Sequence, residues 1–317
     1  MDATRTSLAT RVLRWVDTDA TADGGEPATA DWVRKAPFVV LHLSCLLVLV
    51  VGWSPVAVAI AVGLYLVRMF AITAFYHRYF SHRAFKTSRA VQFLGALVGV
   101  ASIQRGPLWW AAHHRAHHRH SDTESDLHSP VQTGFLHSHM GWIFEGKNFR
   151  TRTELVKDWV RFPELRLLDR FDLVVPLLAI PVLYGLGAFL AATWPQLGTS
   201  GMQVLVWGFS VSTVVLYHMT FTINSLAHRW GSRRFETKDD SRNNGLLALV
   251  TLGEGWHNNH HHHQASARQG FRWWEVDATY YALKAMSWVG LVWDLKPVPA
   301  RVMERARAAD AGREGAR

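Results

Sequence analysis

The sequence contains one cysteine, Cys45, among its 317 residues. A single cysteine excludes an intramolecular disulfide and a metal cluster held by thiolates. Any metal bound within this chain must therefore use imidazole and oxygen ligands. Acidic residues are also scarce, with 25 Asp and Glu against 34 Lys and Arg, which gives a net charge of +9 at pH 7. We interpret this excess as contact with anionic lipid headgroups or with an acidic partner protein. No nucleic-acid motif accompanies it, so nucleic acid is not an expected partner.

Charged residues are nearly missing from four segments, although the mean hydropathy of the whole chain is only +0.01. Each segment is close to the ~20 residues that a helix needs to cross a bilayer. They therefore predict membrane spans, arranged as two hairpins, rather than buried helices of a soluble core. The predicted spans are 38–53, 56–76, 173–194 and 202–223.

Lysine and arginine are absent from the two short turns that join the spans within each pair, around 53–55 and 195–201. By the positive-inside rule, the basic regions outside these turns lie in the cytoplasm. We expect an all-α integral membrane protein whose basic regions lie on the cytoplasmic side of the spans. The expected parts are a cytoplasmic N-terminal arm (1–36), one membrane domain (37–300) and a mobile basic tail (301–317).

Histidine, in contrast, is abundant, and most of the 18 histidines fall into four groups. In an α-helix, residues three and four apart share a face. One group has this spacing at His114, His117 and His118, and a second repeats it at 257, 260 and 261. The repeated spacing indicates a built metal site rather than a loose histidine tract.

The two other groups follow predicted spans, so all four groups are expected on the same side of the membrane. Asn224 and His228 are four residues apart, which places them on one helical face. His77 and His82 are five apart, which separates them by ~140° on an α-helix. This pair is expected to converge only if the helix frays or if the two residues serve different metal ions.

Nine imidazoles are too many for one ion, so the sequence predicts two. A nitrogen-rich ligand set without thiolate suits iron, zinc or copper. An alkyl chain held in the bilayer offers C–H bonds and nothing to hydrolyse, which favours iron and oxygen chemistry. Ligand imidazoles also need hydrogen-bond acceptors behind them, and Asp122, Glu124, Asp126 and Glu254 are the candidates.

The pattern HxxxxH, HxxHH and HxxHH, joined by NSxxH, resembles the membrane fatty acyl desaturases of the stearoyl-CoA type. The resemblance covers most of residues 37–295 and includes "NSLAHRWGSRRF" (224–235) and "GEGWHNNHH" (253–261). It implies four spans in two hairpins and a cytoplasmic helical cap that holds a di-iron centre, with Asn224 reaching one iron through water and Trp110 lining the acyl tunnel. The implied iron ligands are His77, His82, His114, His117, His118, His228, His257, His260 and His261.

The implied reaction uses O₂ and two electrons to place a cis double bond, commonly at Δ9, in a saturated long-chain acyl group. The electrons are expected from a separate ferredoxin or cytochrome b5 type protein with its reductase. Animal acyl-CoA enzymes of this type carry Arg-Asp before the second box, where this chain has Ala112 and His113. Both acyl-CoA and acyl-lipid substrates therefore stay open.

His262 and His263 extend the third box beyond the family pattern, and we do not expect them to be ligands. Two alternative functions remain at this stage. One is a di-iron membrane hydroxylase of acyl chains or alkanes, and the other is a membrane metal-binding protein without enzymatic activity.

Overall fold

The computed structural model describes residues 17–18 and 32–314, so most of the predicted N-terminal arm (1–36) lies outside the described residues. The described chain is mostly helical, with one antiparallel sheet of two short strands, β1 (Lys86–Thr87) and β2 (Val292–Trp293). The α-helices are α1 (Trp32–Ser44), α2 (Val48–Val51), α3 (Pro55–Phe70), α4 (Arg89–Val100), α5 (Pro107–His120), α6 (Phe135–His139), α7 (Lys157–Val160), α8 (Pro163–Arg170), α9 (Val174–Thr193), α10 (Gly201–Leu205), α11 (Ser212–Ser225), α12 (Gly245–Val250), α13 (His257–His262), α14 (Ala278–Trp288) and α15 (Ala300–Glu314).

Three helical segments are long and apolar enough to cross a membrane: Pro55–Ser81, Val174–Thr193 and Gly201–His228. Two of them include π-helical turns, at Ala71–Ser81 and Val206–Val211. Three of the four predicted spans are therefore confirmed as helices of sufficient length. The remaining predicted span, 38–53, overlaps the helix Lys35–Val51, which is apolar but shorter than these three.

The described chain forms two compact units. The first contains the chain up to Arg68 together with 96–109 and 143–217, and the second contains 69–95, 110–142 and the chain from His218 onward. All of the predicted ligand residues belong to the second unit.

Small residues allow close packing between α9 and α10 in the first unit. A methyl group placed on Gly187 would lie 2.6 Å from the Ser200 carbonyl oxygen and 2.8 Å from Val204 Cβ. Val204 is buried together with Leu183 and Ala57. This hairpin is thus held by packing that leaves no room for a larger side chain at position 187.

Residues 300–314, which overlap the predicted basic tail (301–317), form the helix α15. Val302 and Ala306, four residues apart, are buried against Phe235 and Phe271. A short apolar stripe within this basic segment therefore docks the helix.

Gly95 on α4 packs closely against the π-helical segment Ala71–Ser81 in the second unit. A methyl group at this position would overlap the ring of Phe75, which lies in the π-helical segment and is 4% exposed. We expect Gly95→Ala to lower the free energy of unfolding by about 1–3 kcal/mol, because an overpacked core must shift. Thermal unfolding in detergent would measure the effect.

Gly63 provides the matched control, since a methyl group there meets nothing within 4 Å. Gly63→Ala should leave the melting temperature unchanged or raise it, because alanine stabilises a helix interior relative to glycine by ~0.5–1 kcal/mol. Equal melting temperatures for the two variants would contradict the proposed steric constraint at Gly95.

Candidate metal centre

The π-helical segment Ala71–Ser81 explains how His77 and His82 meet. A π-helix pairs residue i with residue i+5, and the His82 amide accordingly donates to the His77 carbonyl oxygen at 3.3 Å. The two rings lie 4.8 Å apart between centroids. The expectation that this pair needs a frayed helix or two different metals is wrong, because the spacing of five residues matches the π-helical turn.

The first histidine cluster contains five residues, and their ligand atoms all lie within 4.8 Å of one another. Four Nε2–Nε2 distances in this cluster are 2.9–3.0 Å. Because imidazole nitrogens bind first-row metal ions at ~2.1 Å, two ligands at right angles around one ion would be ~3 Å apart. The spacing therefore fits a shared ion. The members are His77, His82, His114, His118 and His260.

The second cluster contains His117, His228, His257 and His261, again with ligand atoms within 4.8 Å. The His228 and His257 Nε2 atoms are 3.1 Å apart. The Nε2 atom of His261 is buried and has no hydrogen-bond partner among the described residues. A buried nitrogen without a partner is costly unless something accepts its lone pair, and a metal ion would do so.

Each HxxHH box thus contributes to both clusters. On α5, His114 and His118 belong to the first cluster and His117 to the second. On α13, His260 belongs to the first and His257 with His261 to the second. The structure brings all nine predicted histidines together in these two neighbouring groups.

Three aspartates orient the rings of the second cluster. Asp122 accepts from His228 Nδ1 at 2.8 Å, and Asp126 accepts from His117 Nδ1 at 3.1 Å. Asp239 accepts from His261 Nδ1 at 2.7 Å. A carboxylate only accepts hydrogen bonds, so each Nδ1 carries the proton and each Nε2 lone pair faces the cluster.

Glu254 holds His77 of the first cluster in the same way, through a close contact between its carboxylate and Nδ1. The fully buried Arg78 pairs with Glu254 at 3.0 Å and with Asp277 at 2.9 Å, which balances this buried charge. Gly253 precedes Glu254 with φ of 123°. A methyl group on Gly253 would lie 2.5 Å from Asp277 Oδ1, so glycine is required there.

Asp122, Asp126 and Glu254, three of the four carboxylates predicted from the sequence, contact histidines of the clusters. The fourth, Glu124, is exposed, and Asp239 takes a place that was not predicted. Asp239 lies 22 residues before His261 with no periodic relation to it, so only a three-dimensional structure places the two together.

Burial keeps most of these rings neutral. Burial, with neighbouring histidines adding to it, holds the pKa of His82, His114 and His118 well below its ordinary value. Burial also lowers the pKa of His261 to about 4, although Asp239 opposes the shift. Burial alone would raise the pKa of Asp122, but the hydrogen bond from His228 lowers it to about 2. Neutral imidazoles and ionised carboxylates are the states that metal binding requires.

A cavity reaches both clusters and continues to an apolar wall. His77 and His114 of the first cluster line it, as do His117 and His257 of the second. Trp110 and Asn224, both singled out in the sequence, lie in the same lining. The apolar part is formed by Met69, Ile72 and Ile223. An alkyl chain in this cavity would contact apolar side chains and imidazoles together.

Comparison with known proteins agrees with this arrangement. A family model described as "Fatty acid desaturase" matches residues 52–290. An "Acyl-CoA 5-desaturase" from Anemone leveillei is 37% identical over 270 residues, covering 84% of this chain and 79% of the relative. A "Delta-9 acyl-lipid desaturase 2" from Arabidopsis thaliana is 36% identical over 282 residues, covering 88% and 86%. The chain belongs to the fatty acid desaturase family.

The remaining histidines of this desaturase family member serve other contacts. His262 stacks on Phe235 at 3.9 Å between ring centroids. His128 packs on His117 at 4.4 Å, with its Nδ1 3.9 Å from Asp126 and so beyond hydrogen-bond distance. His113 is buried on α5. Neither His262 nor His263 belongs to the two histidine clusters of the described residues.

Asp122→Asn tests the role of the aspartates. It removes the charge that holds His228, and asparagine tolerates the positive φ of 59° at this position. We expect metal affinity to fall ~10–100-fold, as for other residues that orient metal ligands. Competition with a chelator, followed by metal analysis of the purified protein, would measure it.

The neighbouring exposed residue offers the control. Glu124→Gln removes a similar charge two residues away without touching a ligand and should leave metal affinity unchanged. An unchanged affinity in Asp122→Asn would show that the hydrogen bond to His228 does not support metal binding.

Proposed function

We propose that this protein is an O₂-dependent fatty acyl desaturase that introduces a cis double bond into a saturated acyl chain at a di-iron centre. The observation that carries the proposal is the convergence of nine buried or half-buried histidines into two adjacent clusters in a member of this family. In the overall reaction, two hydrogens leave adjacent carbons of the chain. Together with two external electrons and two protons, they reduce O₂ to two molecules of water.

The proposed ligand assignment follows the two clusters. One ion would be held by the five histidines of the first cluster. The other would be held by the four histidines of the second, with Asn224 acting through a water. Asn224 supports this role because it lines the same cavity as His117 and His257. Two bound iron ions would supply the reduction of O₂ and the oxidising power needed to take hydrogen from an unactivated methylene.

The protein's own side chains position the substrate and exclude water. Trp110 stacks on His114 with ring centroids 5.0 Å apart and an interplanar angle of 20°. Beside it, Met69 and Ile72 form an apolar wall. Holding one carbon pair near the metals can contribute ~7–11 kcal/mol by lowering the entropy cost of reaction. Apolar walls also keep water from competing with the chain.

We propose four membrane spans in two hairpins within one domain (37–300), with the helix Lys35–Val51 as the fourth span and the site on the cytoplasmic side. Leu49 and Val50, at the end of that helix, are each 82% exposed, as expected for lipid-facing side chains. His82 follows the span Pro55–Ser81 and His228 ends the span Gly201–His228. Because the positive-inside rule places these ends in the cytoplasm, electrons would enter from a cytoplasmic ferredoxin or cytochrome b5 type donor.

The proposed substrate is a long-chain saturated acyl group carried on CoA or on a lipid, with Δ9 as the proposed position. Both carriers occur in the names of relatives, one an acyl-CoA and one an acyl-lipid desaturase. Ala112 and His113 stand where animal acyl-CoA enzymes of this type carry Arg-Asp, so both carriers are included in the proposal.

The decisive experiment supplies purified, iron-loaded protein, a reduced electron donor and O₂ with stearoyl-CoA or, separately, with stearoyl-phospholipid. Gas chromatography with mass spectrometry of the acyl chains should reveal a monounsaturated product in one pool. Hydroxylated chains without double bonds would instead indicate the hydroxylase. Iron binding without any O₂-dependent product from either substrate would favour a non-enzymatic metal-binding protein.

Trp110→Ala tests substrate positioning separately from metal binding. Because Trp110 lines the cavity without offering a metal ligand, we expect the variant to keep its iron while kcat/KM for desaturation falls ~10–100-fold. Trp273→Ala, at a tryptophan that is 82% exposed, is the control and should retain activity. Loss of iron in Trp110→Ala would contradict a purely positioning role.

A further inference from the structure

The third histidine box contains two asparagines that are as buried as its histidines. Asn258 and Asn259 are both 0% exposed and lie between His257 and His260 on α13. This helix has six residues, and helices of that length do not hold their shape without tertiary contacts. The contacts of the two asparagines must therefore fix the positions of the neighbouring histidines.

Asn259 uses its side-chain amide fully. Its Nδ2 donates to the Gln269 carbonyl and to Glu275 Oε2, both at 2.9 Å. Its Oδ1 accepts from Asn243 Nδ2 at 2.8 Å and from Arg234 Nη1 at 2.9 Å. These four hydrogen bonds allow the amide only one orientation. A displacement of any of the four partners would therefore move Asn259 and, with it, α13.

Arg234 connects this amide to the end of the described chain. Its side chain is 8% exposed and pairs with Glu275 at 2.5 Å. Its Nε donates to Asp310 Oδ1 at 3.0 Å, and Asp310 lies on α15. A buried guanidinium needs both carboxylates, because a buried charge without a partner is strongly destabilising.

Asp310 has a second, separate partner. Arg272 donates to Asp310 Oδ2 through Nε at 2.7 Å and through Nη2 at 2.6 Å. Among the described residues, the Arg272 side chain makes no hydrogen bond to α13, so it docks α15 without reaching the histidine box. Arg272 therefore only docks α15, whereas Arg234 also connects α15 to Asn259 on α13.

We propose that α15 acts as a brace for the metal centre, and that Asp310 is a positioning residue that acts through Arg234 and Asn259 on the histidines of α13. The inference rests on the proposed function, because the histidines that it positions are the proposed iron ligands. The box supplies His260 to the first cluster and His257 with His261 to the second. The brace therefore affects both clusters.

The test compares iron loss among full-length, iron-loaded variants purified in detergent. A chelator in excess removes iron at a temperature well below the lowest melting temperature of the set, and absorbance follows the released iron. We expect Asp310→Asn to lose iron about tenfold faster than the parent protein, in line with effects of groups that act behind metal ligands. Asp310→Glu should recover most of the difference.

Two controls separate positioning from stability. Arg272→Gln removes the docking contact but leaves Arg234 paired with Asp310, so its iron loss should stay near that of the parent. Asp294→Asn removes an exposed ion pair with Lys86, whose side chains are 61% and 68% exposed, and should have no effect.

The outcomes are distinguishable. A parent protein that binds no iron would overturn both the proposed function and the brace. Two irons per chain in the parent, with no faster loss from Asp310→Asn, would overturn the brace alone. Equal acceleration in Arg272→Gln and Asp310→Asn would also overturn it, because docking of α15 would then account for the effect without Arg234.

Discussion

The hydrogen bond from a histidine Nδ1–H to a buried carboxylate is the interaction on which this site depends. Asp122, Asp126, Asp239 and Glu254 each hold one ring in this way. An ionised carboxylate accepts but does not donate, so the opposite nitrogen of each ring is left as a lone pair. The carboxylates thus fix the orientation of each ring and the nitrogen that faces the cluster.

Backbone geometry supplies the second constraint. A spacing of five residues cannot converge on an α-helix, yet the π-helical segment Ala71–Ser81 brings His77 and His82 into one cluster. The i, i+3, i+4 spacing of the two HxxHH boxes does not bring all the histidines of a box into one cluster. Each box divides its histidines between two clusters, so α5 and α13 hold the clusters side by side. A change in either helix would therefore disturb both.

Outside the histidine boxes, the fold depends on contacts that look unremarkable in the sequence. Arg234 and Asp310 are 76 residues apart and meet at 3.0 Å. Val302 and Ala306 form a stripe too short to stand out in a basic segment, yet they dock α15. Charge and composition alone indicated a mobile tail here. Long-range ion pairs carry no local periodicity, so the sequence could not predict them.

By itself, the sequence determined the chemistry: the single cysteine restricts the ligands to imidazole and oxygen, and the boxes indicate the desaturase family. Three apolar helices long enough to cross a membrane also followed from it, because hydrophobic length is a local property. Tertiary structure alone decided which cluster each histidine joins, that Asp239 rather than Glu124 orients a ring, and that His262 stacks on Phe235. Those facts depend on the folding together of distant segments, which residue spacing along the chain does not encode.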